Sequence, residues 1–247
     1  MRVVFALWLR ELKRYLRSRP QILASLGQPM MYLLVLGFGL GPVFEKAGQG
    51  DYLRFVAPGV VAMTILFSSI FSGVGLLWDR QFGFLKETLV APVPRLQIMI
   101  GRTLGGATTA SLQGTLVLIV CLIAGFRPEL GGVLLGLAFM MLIAIVFAAL
   151  GTIIGSSLKD MQGFQLIMNF LVMPIFFLSG ALYPLAGLPT ALTVLTHLDP
   201  LSYGVDGLRG AFIEVSHFGV LTDLAILGAL AACFLALGAR AFARIQV

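Results

Sequence analysis

Five stretches without a single charged side chain divide most of this chain: residues 20–44, 55–78, 103–126, 130–158 and 161–198, with lengths of 25, 24, 24, 29 and 38 residues. A charge at the middle of a bilayer costs a few kcal/mol, and an apolar helix needs roughly 20 residues to cross one. The first four windows therefore predict one span each. The fifth is too long for one helix and carries Pro184, Pro189 and Pro200, so it divides into a span over 163–182 and a Pro-rich segment that cannot continue as a single helix. A shorter sixth span is expected over 221–239. Composition agrees, because 59% of the residues are apolar and only 11% charged, against about 25% charged in soluble domains. A water-facing surface cannot be built from so few charges. The expectation is an all-α integral membrane protein, one transmembrane domain over 1–247, with six spans.

The basic residues set the orientation. With both termini on the cytoplasmic side, thirteen of the 17 Lys and Arg residues fall in cytoplasmic segments, while seven of the 11 acids fall outside. This is the positive-inside pattern. It also accounts for the net charge of +6 without invoking nucleic acid, for which no binding motif is recognisable.

Residues 1–19 do not read as a signal peptide, since the short apolar core from Val3 to Leu9 precedes its positive charges. They read as an amphipathic helix on the inner membrane surface, Phe5, Trp8, Leu9, Leu12 and Leu16 on one face and Arg10, Lys13, Arg14 and Arg17 on another. The alternative is a simple topology-setting charge cluster. The longest cytoplasmic segment, 78–102, opens WDRQFGFLKETLV, and its part 78–96 places Phe82, Leu85 and Leu89 on one helical face before Pro92 and Pro94 end it. Such a face suits either a partner's groove or the membrane surface.

Polar side chains within the spans are Gln28, Thr64, Ser68, Ser72, Gln113 and Asn169. They are candidates for a substrate path, because an amphiphile needs a few hydrogen-bonding groups in an apolar cleft. Interhelical hydrogen bonding is the competing role for each. Pro29 and Pro174 are expected to kink their helices, and Gly37, Gly39, Gly41, Gly101, Gly105, Gly151 and Gly155 to permit close helix contact. Cys121 and Cys233 read as buried small hydrophobes. His197, Asp199, Asp206 and His217 lack compact metal-ligand spacing, so no metal site and no catalytic residue is expected; Asp206 and Arg209, three residues apart, suit a helical ion pair.

Four stretches in this order resemble the permeases of the type 2 ATP-binding-cassette (ABC) exporter family, nearest its drug-exporter and nodulation-factor-exporter branch. The segment 78–96 resembles that family's cytoplasmic coupling helix; Phe55-Val56-Ala57-Pro58-Gly59 resembles the start of its second span; residues 169–189, NFLVMPIFFLSGALYPLAGLP, resemble its fifth span and the external turn that follows; residues 198–209, LDPLSYGVDGLR, resemble the run closing its re-entrant segment. The resemblance implies a half-transporter that pairs with a second permease copy, as a homodimer, in the inner membrane and is driven by a separate cytoplasmic ABC ATPase, with ATP and Mg on that partner and no cofactor here. It assigns Arg80, Phe82, Gly83, Lys86, Glu87 and Leu89 to the ATPase interface. It assigns Pro184, Pro200, Tyr203, Asp206 and Arg209 to an external re-entrant segment over 183–215. Independently, these 247 residues contain no Gly-x-x-x-x-Gly-Lys-Ser/Thr phosphate loop. No ionisable residue falls in the first five expected spans, which disfavours ion coupling. A membrane anchor that recruits a cytoplasmic partner and a membrane-embedded lipid-modifying enzyme remain as alternatives.

Overall fold

A computed structural model describes residues 2–46, 51–82, 94–158 and 160–243, and among them every regular element is a helix. Helix α1 covers Arg2–Arg17. Helix α2, Arg19–Tyr32, passes through a π-helical turn, Leu33–Phe38, into α3, Gly39–Lys46. Helices α4, Tyr52–Phe71, and α5, Val74–Gln81, form one nearly continuous rod. Then come α6, Arg95–Ile123, and α7, Val133–Ser157. Helix α8, Met161–Ile167, continues through a π-helical turn, Met168–Val172, into α9, Met173–Leu178; α10, Thr190–Leu198, α11, Pro200–Ile213, and α12, Val220–Ala243, complete the chain.

Six of these rods are long and apolar enough to cross a membrane: Arg19–Val43, Tyr52–Asp79, Arg95–Ile123, Leu130–Ser157, Met161–Leu178 and Val220–Ala241. All six expected spans are present. The third begins eight residues before its charge-free window (95 against 103), because Arg102 does not end the helix. Its side chain is only 9% exposed and is paired with Asp79. A charge neutralised within the protein sets no helix boundary, so charge-free windows locate spans more reliably than they locate ends.

Helix α4 is the central element, buried at almost every position from Val56 to Leu66. Helices α6, α7 and α11 pack around it. Where the α4–α5 junction crosses α7, the backbones touch: a Cβ on Gly151 would lie 2.6 Å from the Ile70 carbonyl oxygen, and one on Gly155 would overlap the Gly73 carbonyl. Gly101 and Gly105 play the same part beneath α1, a Cβ on either falling within 3.0 Å of Leu7 or Glu11. The expectation of close contact fails at Gly39 and Gly41, which face open space, and at Gly37, where the nearest atom stands at an ordinary 3.7 Å. These three lie on the outer part of the first span, which few other elements cover.

Each of the two prolines expected to kink a helix lies near a π-helical turn. Pro29 lies in α2 one turn before Leu33–Phe38, and Pro174 is the second residue after Met168–Val172. At Pro174 the wider turn lies on the N-terminal side, where the ring removes an N–H donor.

Helix α1 departs from expectation. Its Val4, Leu7, Trp8 and Glu11 dock on α6, where the Trp8 indole N–H donates to the Thr108 hydroxyl at 2.9 Å, and Tyr15 is buried. Phe5 and Leu16, expected to share a face with Trp8, stay more than half exposed. A 3.6-residue period permits both stripes, and the Gly101 and Gly105 surface of α6 selects which one is buried.

Candidate functional site

Five of the six polar side chains singled out within the spans, Gln28, Thr64, Ser68, Ser72 and Gln113 among them, line one cleft of about 920 Å³ bounded by α1, α2, α4, α5 and α6. Proximity follows from helical spacing. Thr64, Ser68 and Ser72 lie four residues apart and form one stripe on the α4 rod. Gln113 faces that stripe from α6, the Ser68 hydroxyl donating to its side-chain oxygen. Thr64 donates to the Val60 carbonyl at 2.8 Å and Ser72 to the Ser69 carbonyl at 2.6 Å, so both hydroxyls keep acceptor capacity towards the cleft. Between these groups the wall is apolar, formed by Met63, Phe67, Phe71 and Trp78.

Asn169 does not join them. It lies exposed in the π-helical turn, and the widened turn puts Met168 against the cleft instead.

At one end the cleft meets a charge network that sequence patterning did not reveal. Asp79 accepts from Arg102 on α6 and from Arg10 on α1, the latter at 3.4 Å. Glu11 pairs with Arg14 at 2.7 Å and Arg10 at 3.0 Å. The Arg102 Nε has no hydrogen-bond partner among the described residues. These groups tie α1, α5 and α6 together at the start of the 78–96 segment. In the sequence Asp79 and Arg102 are merely the charges flanking two windows, and their pairing across 23 positions leaves no periodic signal. Phe82 stacks at a tilt on Trp78, ring centroids 5.6 Å apart, at the same end of the cleft and 63% exposed. Arg80 is described in its backbone alone. Gly83, Lys86, Glu87 and Leu89 lie outside the described residues.

The 183–215 segment holds two helices, α10 and α11, that meet at Asp199. Pro184 lies in the irregular stretch before α10, and Pro200 opens α11. Asp199 caps α11, accepting from the Leu201 N–H at 2.9 Å and from the Ser202 hydroxyl at 3.3 Å. Burial pushes its carboxyl up to about 7 against those two hydrogen bonds. The Tyr203 hydroxyl donates to the His197 carbonyl at 2.7 Å.

Asp206 and Arg209 do not form the expected ion pair. Asp206 accepts the backbone N–H groups of His217 and Phe218 at 2.8 Å, closing the turn before α12. Arg209 points the other way, donating to the Gly180 and Ala181 carbonyls at 2.7 and 3.2 Å and lying 3.8 Å from the centre of the Phe55 ring. Burial lowers its pKa to about 10, opposed by the Asp206 charge. The i, i+3 spacing allowed a pair, but backbone groups of two different turns claimed both side chains. Arg209 thereby fastens the turn after the fifth span to the start of the second. Asp223, in the first turn of α12, is fully buried beside Asp206. Cys121 is buried as expected, whereas Cys233 is exposed on the outer side of α12.

The described residues form a helical protein with six rods able to cross a membrane and a cleft of mixed polar and apolar lining. Comparison with known proteins gives the family: the ABC-2 type transporter family profile matches residues 2–213, and the chain belongs to that family. Similar proteins include Nodulation protein J of Sinorhizobium fredii, 28% identical over 90% of this chain and 86% of that protein. Nodulation protein J of Rhizobium meliloti is 30% identical over 76% and 72% of the two chains. Inner membrane transport permease YadH of Escherichia coli K12 is 26% identical over 90% and 87%. The protein is thus a multi-pass transmembrane transport permease.

Proposed function

We propose that this permease exports an amphiphilic or lipid-linked substrate from the cytoplasm or the inner leaflet, energised by ATP hydrolysis on a separate ABC ATPase subunit. The observation that carries this reading is the convergence of Gln28, Thr64, Ser68, Ser72 and Gln113 on one cleft whose charged end adjoins the 78–96 segment. Hydroxyls and amides set into a wall of Met63, Phe67 and Phe71 suit a molecule with a polar head and an apolar body. Membership in the ABC-2 family supports the ATPase partner. The similarity to an inner membrane permease and the excess of Lys and Arg on one side support an inner-membrane location with both termini cytoplasmic.

A second copy of the chain completes the transporter in this reading. Only 12%, 22% and 17% of the residues in the most apolar windows of the first, fifth and sixth spans are buried, against 72% in the second, so these spans keep apolar flanks that a partner permease could cover. ATP and Mg²⁺ bind on the ATPase, and Phe82, with Arg80, Gly83, Lys86, Glu87 and Leu89, forms its docking site.

The test is co-purification from native membranes in mild detergent. Wild-type protein should bring down an ABC ATPase subunit, and a Phe82→Ala, Glu87→Ala variant should lose most of it at unchanged permease yield. Absence of any ATPase from the wild-type complex would reject the exporter reading and leave only the permease architecture.

A further inference from the structure

Helix α1 has three faces, each roughly a third of a turn from the next. One, containing Val4, Leu7, Trp8 and Glu11, is occupied by α6. The second, containing Phe5, Leu9, Leu12 and Leu16, spaced by four, three and four residues, faces outward, with Phe5 59% and Leu16 56% exposed. The third is basic: Arg10, Lys13, Arg14 and Arg17, each exposed. A helix already docked on its inner side has no folding need for a second apolar stripe. An apolar stripe beside a basic one is what a helix at the acyl–headgroup boundary requires.

The basic face ends at a sharp elbow. Ser18 donates its N–H to the Tyr15 carbonyl at 3.0 Å, and Pro20 opens α2, where the first span begins. Around this elbow Arg10, Lys13, Arg14, Arg17, Ser18 and Pro20 line a shallow groove that contains no acidic side chain. Arg10 and Arg14 are engaged with Glu11 and Asp79 behind the groove, while Lys13 and Arg17 make no ion pair among the described residues. The groove also adjoins the cleft, since Arg14 borders both.

We propose that this elbow is a binding site for the phosphate headgroup of an anionic membrane amphiphile, held by Lys13 and Arg17, with the acyl chains lying against Phe5 and Leu16. Charge and depth both favour that occupant. Four cations cluster where the first span leaves the apolar layer, the level at which lipid phosphates sit, and juxtamembrane basic clusters attract such lipids. The site stands independently of the export reading, because neither ATPase nor transport enters the argument.

Native mass spectrometry of the full-length protein, titrated in detergent with phosphatidylglycerol or phosphatidylcholine, tests it. Phosphatidylglycerol should be retained in preference. Lys13→Gln with Arg17→Gln should weaken that retention roughly thirtyfold, the effect of removing two cations near the surface, at an unchanged melting temperature; Lys13→Arg with Arg17→Lys should keep it. Equal retention of the two lipids, or a preference that survives in the glutamine variant, overturns the proposal. So does displacement of phosphatidylglycerol by millimolar inorganic phosphate, which would mark a free-anion site. Loss of a co-purifying ATPase from the glutamine variant with lipid preference intact would assign the basic face to the partner protein instead.

Discussion

Charged residues in this protein act through the partners they meet across the fold. Asp79 compensates Arg102, which is 9% exposed, while its other partner Arg10 is 44% exposed. Removing one member of a largely buried pair costs about 3–5 kcal/mol, because the remaining charge is left without compensation, whereas an exposed pair contributes under about 1 kcal/mol. Asp79→Asn should therefore lower the melting temperature in detergent far more than Arg10→Gln, and equal effects would show that Arg102 finds another counter-charge. Asp199 gives a pH dependence whose sign is fixed by burial. Its carboxyl is raised from 3.8 to about 7 in the folded protein, so the native state holds the proton more tightly than the unfolded chain. The stability this contributes is full below about pH 4 and is lost as pH rises through about 7. Melting curves between pH 5 and 8 should show that decline in the wild type and a flatter profile in Asp199→Asn, which keeps a helix-capping side chain but cannot ionise.

Pairs of helices are held where glycine removes the side chain between backbones. The α4–α5 junction crosses α7 at Gly73, Gly151 and Gly155, and a Cβ on Gly155 would overlap the Gly73 carbonyl. Backbone carbonyls cannot rotate away as a side chain can, so Gly155→Leu should cost roughly 1–3 kcal/mol or more. Gly41→Leu, in open space, should be tolerated. Thermal unfolding of the two variants side by side checks the contrast. The sequence shows Gly151 and Gly155 as a Gly-x-x-x-Gly repeat, yet the same small-residue pattern at Gly37 and Gly41 makes no close contact. What distinguishes them is the presence of a facing helix, which no local pattern encodes. The amphipathic reading of α1 meets the same limit: the helix was legible, but its buried side was set by the glycine-lined surface of α6.

Across the whole molecule, the cleft and the 78–96 segment make separable contributions in the proposed export cycle. Gln113 joins α6 to α4, its side-chain oxygen accepting from the Ser68 hydroxyl. Gln113→Leu should leave ATPase co-purification intact while reducing substrate-stimulated ATP hydrolysis several-fold, whereas the Phe82→Ala, Glu87→Ala variant should lose both. Reconstitution of the two variants with the partner ATPase distinguishes these outcomes. The sequence by itself determined the all-helical architecture, the six spans and five of the residues that line the cleft, because the cost of placing charge in a bilayer is large and local, and because residues four apart on a helix share a face whatever surrounds them. Only the tertiary structure decided that Arg102 remains inside a helix, that Asp206 and Arg209 turn away from each other, that Asn169 leaves the cleft and that Trp8 faces inward. Each depends on a partner 11 to 154 residues away in the chain, or on a π-helical turn that shifts the register, and neither is carried by the spacing of neighbouring residues.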